Sequence, residues 1–290
     1  MGNQKTLIAG CGYVGRRLAA ALGAETVLGL VRSDASCSKL ADLGIVPVQC
    51  DLARSMLPSL TTGGADSYYL LPPPKTGVQD VLMANFLQAL AHSGLPRRIV
   101  YLGTTGVYGD CGGEWVDEQA PVRPVADRAL RRLDAEQQLR RWSEQSGAEA
   151  VILRVAGIYG PGKLPLQRLK AGKPMVAARF APWTNRIHVD DLVQVLLAAM
   201  QRGGNGEVYN VTDGQPGNMA DYFNRVADVA GLPRPPIIDP GAADEQLSAG
   251  LRSYLAESRR IDNRKMLREL QVRLRYPTLE QGLQACFSGQ

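Results

Sequence analysis

Short apolar runs and longer amphipathic stretches alternate through the first half of the chain. "TLIAG" leads into "YVGRRLAAAL", "TVLGLVR" into "SKLADLG", and "VPVQCDL" comes next; "SYYLLPPP" leads into "VLMANFLQALAHSG" and "RRIVYLGT" into "RALRRLDAEQQLRRWSEQSG", before "EAVILRV" closes the series. Strands of about four to seven residues, apolar along their length and separated by helices of about ten or more, predict a parallel sheet covered on both faces. The fold class expected is therefore α/β, doubly wound. After Arg154 the regularity fades: "AGIYGPGKLP" and "RFAPWTNRIH" read as loops, "VDDLVQVLLAAM" as a helix opened by acidic residues, and "EVYNVTDGQP" as one more strand with its turn. The tail, rich in Pro before residue 241 and in Arg after 251, is expected to form a smaller, mainly helical lobe. The expected division is 1–160 for the sheet domain, with 187–212 returning to it, and 161–186 with 213–290 for the lobe.

Composition narrows the class of protein. With 290 residues and 45% hydrophobic content the chain can bury a full core. The net charge is only +5 and the basic residues are spread rather than blocked, so no nucleic-acid partner is expected. Cys11, Cys37, Cys50, Cys111 and Cys286 are odd in number and lack zinc-site spacing, which points to a reducing, cytoplasmic setting and to no metal. No apolar run of about 18 residues occurs, so no membrane association is expected. Gly2 and Thr6 do stand in myristoylation spacing, although Gly2 is more simply an ordinary start.

Candidate chemistry begins with "LIAGCGYVGRRLA", where Gly10, Gly12 and Gly15 follow a strand and open a helix in G-x-G-x-x-G spacing. Each glycine has a distinct reason: a tight turn, a close approach of backbone to a pyrophosphate, and helix-to-strand packing, with the helix N-terminus facing the phosphates. This predicts a dinucleotide-binding Rossmann domain in which Gly10, Gly12, Tyr13, Val14 and Gly15 form the phosphate turn. At the second strand's end, where an NAD binder carries an acid, stand Arg32 and Ser33, and a guanidinium there suits the 2′-phosphate of NADP. Asp34 is the alternative, serving NAD or capping the next helix. Asp51 and Leu52 after the third strand are candidates for the adenine edge and face, with a helix cap as the other reading of Asp51. Leu71 and Pro72 end the fourth strand at the sheet's carboxyl edge, where ligands bind in such folds.

Several segments in order resemble a known family. "YLGTTGVYGD", "WVDEQAPVRP", "LRVAGIYGPGK", "NRIHVDDLV", "YNVTDGQP" and "SRRIDNRKMLRELQVRLRYPTLEQGL", with the glycine loop, are similar to the extended short-chain dehydrogenase/reductases, the NAD-dependent epimerase/dehydratase family, and to its atypical branch. The resemblance spans nearly the whole chain and implies a substrate-binding C-terminal lobe, a small-molecule substrate and the homodimer habit of the family. It puts Thr104 in the place of the catalytic Ser/Thr, as a donor to a substrate carbonyl, four residues before Tyr108, a second catalytic candidate. Counting back from Ala135 and Glu136, the family's Tyr-x-x-x-Lys pair falls on Arg128 and Arg132. Arginine stays protonated in the working range and is a poor proton shuttle, but its fork can still hold a ribose, a phosphate or a carboxylate. Arg132 is accordingly expected on the cofactor and Arg128, Asn185 and Arg186 on the substrate. Thr105 and Gly106 stand where the family's dehydratases carry Asp-Glu, which argues against dehydration.

The remaining arginines of that helix, Arg131, Arg140 and Arg141, are expected to be solvated, since no single arginine stripe forms at helical spacing. Tyr159 and His188 are expected to be structural. Two functions are consistent with this reading. One is an NADP-preferring oxidoreductase or epimerase acting on a small carbonyl or hydroxyl compound, possible nucleotide-sugar-like ones included. The other is a dinucleotide-binding sensor that keeps the cradle without the proton-transfer residue.

Overall fold

In the computed structural model, residues 6–54 and 63–288 are described; Gly2 lies outside them. Seven parallel strands form the central sheet: β1 (Thr6–Ala9), β2 (Val27–Val31), β3 (Val46–Gln49), β4 (Asp66–Tyr69), β5 (Arg98–Leu102), β6 (Glu149–Val155) and β7 (Val208–Val211), in the order β7-β6-β5-β4-β1-β2-β3. The strand order reverses between β1 and β4, and a crevice opens there at the carboxyl ends of the strands.

Because successive strand residues point to opposite faces, each strand feeds two cores. Ile8, Tyr68, Val100, Leu102, Val151 and Leu153 face one apolar layer, built with α1 (Tyr13–Leu22), α2 (Asp34–Ala41) and α5 (Val189–Arg202). Leu7, Ala9, Tyr69, Ile99, Tyr101 and Ile152 face the other, against α3 (Val81–Ser93) and α4 (Asp127–Ser146). Helix α3 is capped by Asp80, whose Oδ1 accepts the Met83 N–H at 3.1 Å. Helix α4 begins after an unhelpful Ala126, gains Asp127 in its first turn, and stops where Gly147 takes the left-handed conformation. Ala135, Leu139 and the half-buried Trp142 carry its apolar contact with the second layer, and polar contacts fix much of the rest.

The lobe has its own cluster, in which Tyr159, Leu169, Met175 and Val176 meet Phe223 and Val226 of α6 (Met219–Val229) and Leu283 of α8 (Leu279–Phe287). A short helix, α7 (Ala249–Leu255), lies between these along the chain. The tail is not confined to the lobe, because Met266, Leu270 and Val272 pack into the sheet's first layer. Among the described residues no helix is long and apolar enough to cross a membrane.

One buried ion pair joins α4 to the sheet. Arg154 on β6 donates through Nη2 to Glu136 Oε2 at 3.0 Å, with the side chains 8% and 2% exposed. Burial pushes the Glu136 carboxyl up, and the guanidinium opposes that shift. Removing one partner strands the other charge in the core, which typically costs several kcal/mol, whereas replacing both by apolar groups often costs little. Glu136→Ala is therefore expected to lower the unfolding free energy by about 3–5 kcal/mol in urea, and Glu136→Leu with Arg154→Met to recover most of it. A change below about 1 kcal/mol in the single variant would contradict this role of the pair.

Candidate active site

A cavity of about 960 Å³ runs along the carboxyl ends of β1 to β4. Its floor is the glycine loop, and the three glycines separate by function. Gly10 has φ +90°, and an added Cβ would lie 2.7 Å from the Leu71 nitrogen, so a side chain there would push β1 and β4 apart. An added Cβ on Gly15 would meet the Gly10 carbonyl at 3.0 Å and Ile8 at 3.1 Å, which is the helix-to-strand packing. Gly12 has no heavy atom within 4 Å of that position, because it borders the cavity. The open space over Gly12 beside the first turn of α1 is what a pyrophosphate requires. The chain therefore fits a dinucleotide.

The other residues expected here divide. Tyr13, Val14, Arg32, Asp51, Leu52, Leu71 and Pro72 all line the cavity. Arg32 is exposed, and among the described residues no ion pair holds it. Ser33 does not reach the cavity: it stands at the N-cap position of α2 with its hydroxyl 3.0 Å from Ser36 Oγ, and Ser36 is the lining residue instead. Asp34 opens α2 and does not line the cavity either. Asp51 caps no helix among the described residues; its Oδ1 accepts the Ala53 N–H at 3.2 Å in a turn. Sequence reasoning missed Lys75 and Lys163, two further cations on this wall, the second 5.4 Å from the Tyr13 ring centroid.

A second cavity, of about 470 Å³, opens between the sheet edge and the lobe. Pro73, Leu102, Arg132 and Ile158 line both, so the two spaces share a wall. Arg132 donates to the Leu71 carbonyl at 2.9 Å and lies 5.9 Å over the Tyr101 ring. Thr104 lines the cleft, and its Oγ1 accepts the Gly106 N–H at 3.1 Å, which leaves its own proton to be donated. Arg128 also lines the cleft but is engaged elsewhere. It donates to Ser253 Oγ, pairs with Glu257 at 3.4 Å and stacks 4.1 Å over the Tyr254 ring, fastening α4 to α7.

Two expectations change. Tyr108 is not at the cleft: it is 1% exposed and its hydroxyl donates to Asn210 Oδ1 at 2.7 Å, under the Arg154 guanidinium. Asn185 does line the cleft, and its amide ties that wall to the tail, donating one N–H to the Arg259 carbonyl at 3.1 Å and accepting the Ile261 N–H at 2.9 Å. Arg131 is not solvated but buried, donating to the Gly77 carbonyl. Arg186 does line the cleft, stacked 4.2 Å over Tyr222. His188, 1% exposed, caps α5 by accepting the Asp190 N–H at 3.3 Å, and Tyr159 is equally buried. The cleft residues missed are Tyr254, Glu257 and Arg259, which stand more than 100 positions from Thr104 in a segment without periodicity.

Asp213 lies behind Arg186, 5% exposed. Its Oδ1 accepts the Gln215 N–H at 2.9 Å while Oδ2 has no partner among the described residues, and burial pushes the carboxyl up to about 7 against the pull of Arg186. A carboxyl raised in the folded state stabilises the protein fully below the unfolded carboxyl's pKa of about 4, and that contribution is lost as pH rises through 7. The loss amounts to roughly 4 kcal/mol at most. Asp213→Asn is expected to flatten the fall in urea midpoint between about pH 4 and 7; an unchanged pH profile would show that Asp213 does not cause it.

Comparison with known proteins agrees with this architecture. The sequence model of the NAD dependent epimerase/dehydratase family matches residues 74–212. Protein YeeZ of Escherichia coli (strain K12) is 28% identical over 224 residues, 76% of this chain and 70% of that one. The 4-hydroxy-2-methyl-3-oxo-4-farnesyl-3,4-dihydroquinoline-1-oxide ketoreductase of Stigmatella aurantiaca is 28% identical over 245 residues, 77% of this chain and 72% of that one. A functionally unknown conserved protein from Silicibacter pomeroyi DSS superposes with a TM-score of 0.83 at 34% identity, covering 98% of both chains. The glycine cradle, the reversal of strand order beside it and these likenesses converge: the chain belongs to the NAD-dependent epimerase/dehydratase family.

Proposed function

We propose that the chain is an NADP-preferring oxidoreductase or epimerase-like enzyme acting on a small carbonyl or hydroxyl compound. The observation that carries this reading is the wall shared by the two cavities at Leu102, Arg132 and Ile158, where a dinucleotide laid over Gly12 would end against the cleft. On this reading residues 1–160 and 187–212 serve the cofactor, and 161–186 with 213–290, apart from the 266–272 stretch that packs on the sheet, close over the substrate. The preference for NADP is supported by Arg32, exposed on the cavity wall where Asp34 is not. The substrate of the ketoreductase relative is a carbonyl compound by its name, which favours the reductase branch of the reading.

The bound nicotinamide would supply or accept hydride at the shared wall. Thr104, already accepting from Gly106, donates a hydrogen bond to the substrate oxygen and orients it. Arg132 holds the carboxyl end of β4 through the Leu71 carbonyl and contributes a fixed positive charge. Neither Arg128 nor Arg132 exchanges a proton at working pH. Tyr254, on α7, is the phenol that lines the cleft, and proton transfer to the substrate oxygen falls to it.

A second reading, a non-catalytic NAD(P)-binding sensor, is favoured by Arg128, whose fork is consumed by Ser253 and Glu257. Two measurements separate them. NADPH is expected to bind the purified protein at least about tenfold tighter than NADH, and Arg32→Ala to erase the difference; equal affinities would remove the NADP preference. In a screen of carbonyl compounds followed by NADPH oxidation, Tyr254→Phe and Thr104→Val are each expected to lower kcat by about 100-fold or more with NADPH affinity kept. NADPH binding with no turnover on any carbonyl favours the sensor.

A further inference from the structure

The charges on the cleft do not balance. Arg128, Arg132, Arg186 and Arg259 line it, and Glu257 is the carboxylate among its lining residues. That one carboxylate is already shared, 3.4 Å from Arg128 and 3.0 Å from Arg259. Asp80 stands behind Arg132 and Asp213 behind Arg186, but neither makes an ion pair with its arginine among the described residues. Asp213 is moreover pushed toward its neutral form by burial. A cavity with low-dielectric walls and several uncompensated cations concentrates a positive potential on whatever enters it.

Arg186 is the least compensated of the four. Its Nη1 donates to the Asn185 carbonyl at 3.1 Å, and its Nε is buried without a partner among the described residues. A buried guanidinium with an unmade bond is costly, and burial lowers its pKa from the ordinary arginine value. The surroundings nonetheless keep the head group in place. It rests 4.2 Å over the Tyr222 ring, and Gly157, also on the cleft wall, leaves the room it needs, since a Cβ there would lie 2.7 Å from Nη1. The enclosed Nε is out of a ligand's reach, but the part of the guanidinium that lines the cleft can donate to an anion that enters it.

We propose that the substrate carries an oxyanion, a carboxylate or a phosphoryl group, and that Arg186, stacked on Tyr222 and cleared by Gly157, is the side chain that selects it. The proposal deepens the functional reading above and rests on the same cleft being the substrate site. The neighbouring Arg259, whose two Nη atoms both donate to Oε2 of Glu257, forms the second positive edge of the pocket. A neutral carbonyl compound would gain no charge-assisted hydrogen bond from Arg186, so discrimination against it comes from the contact it cannot make.

The test uses the full chain and two probes, malonate and inorganic phosphate, titrated by calorimetry, with NADPH titrated separately. Wild type is expected to bind at least one probe, and whichever binds tighter identifies the carboxylate or the phosphoryl class. Arg186→Gln should weaken that binding by at least about tenfold, a loss of about 1.4 kcal/mol, with NADPH affinity kept and the thermal midpoint not lowered. Arg186→Lys, which retains charge but not the fork, should fall between the two. Anion binding that survives Arg186→Gln, or that is abolished by Arg32→Ala or by saturating NADPH, places the anion in the phosphate cradle and overturns the proposal. Failure of both probes to bind wild type also overturns it, while NADPH binding in the same sample would leave the oxidoreductase reading standing. Arg186-dependent anion binding in a protein that takes no NADPH would do the reverse.

Discussion

The contact between the Arg132 guanidinium and the Leu71 carbonyl is the one on which the site depends. Leu71 follows β4 at the point where the sheet reverses, and its backbone is approached from two sides. Gly10 packs against its nitrogen so closely that no side chain would fit, and Arg132 reaches its oxygen from α4. The first contact shapes the floor of the larger cavity and the second forms the wall it shares with the smaller one. A shift of β4 or of α4 would therefore change both cavities together.

Helix α4 meets the second layer through Ala135, Leu139 and Trp142, and charged side chains position the rest of it. Glu136 pairs with Arg154 beneath it, Arg131 reaches the Gly77 carbonyl on one flank, and Arg128 grips α7 on the other. Arginine suits all of these tasks because its planar fork makes several directed bonds and keeps its charge when desolvated. The same properties make it unsuited to giving up a proton. Helix α4 thus serves to hold the walls of the site in place. Tyr254 comes within the cleft because Arg128 holds α7 there.

Much of the sheet domain was legible in the sequence because its signals are local. A buried strand is a short apolar run, a covering helix has its own period, and the glycine loop states its geometry in six residues. Gly10, Gly12, Tyr13, Val14, Arg32, Asp51, Leu52, Leu71 and Pro72 line the cavity at the sheet's carboxyl edge, while Gly15 packs behind it. Ser33 failed for a local reason that spacing could not supply: the turn into α2 aims its hydroxyl at Ser36. Tyr108 failed for a non-local one: it lies beside the cleft in sequence terms, but its hydroxyl is buried against Asn210. Glu257, Arg259 and Tyr254 were invisible because a polar tail segment reveals its neighbours only when folded, and Arg131 was misjudged because a long side chain can bury its head against a distant carbonyl.

The central claim is that the two cavities form one site joined at Arg132. A crystal structure of the protein with NADPH tests it most directly. The account predicts the 2′-phosphate at Arg32, the pyrophosphate over Gly12, and the nicotinamide end against Arg132 and Thr104 with the Leu71 contact intact. A dinucleotide whose nicotinamide end turns away from the cleft, or an Arg132 released from Leu71 to accommodate it, would contradict the account.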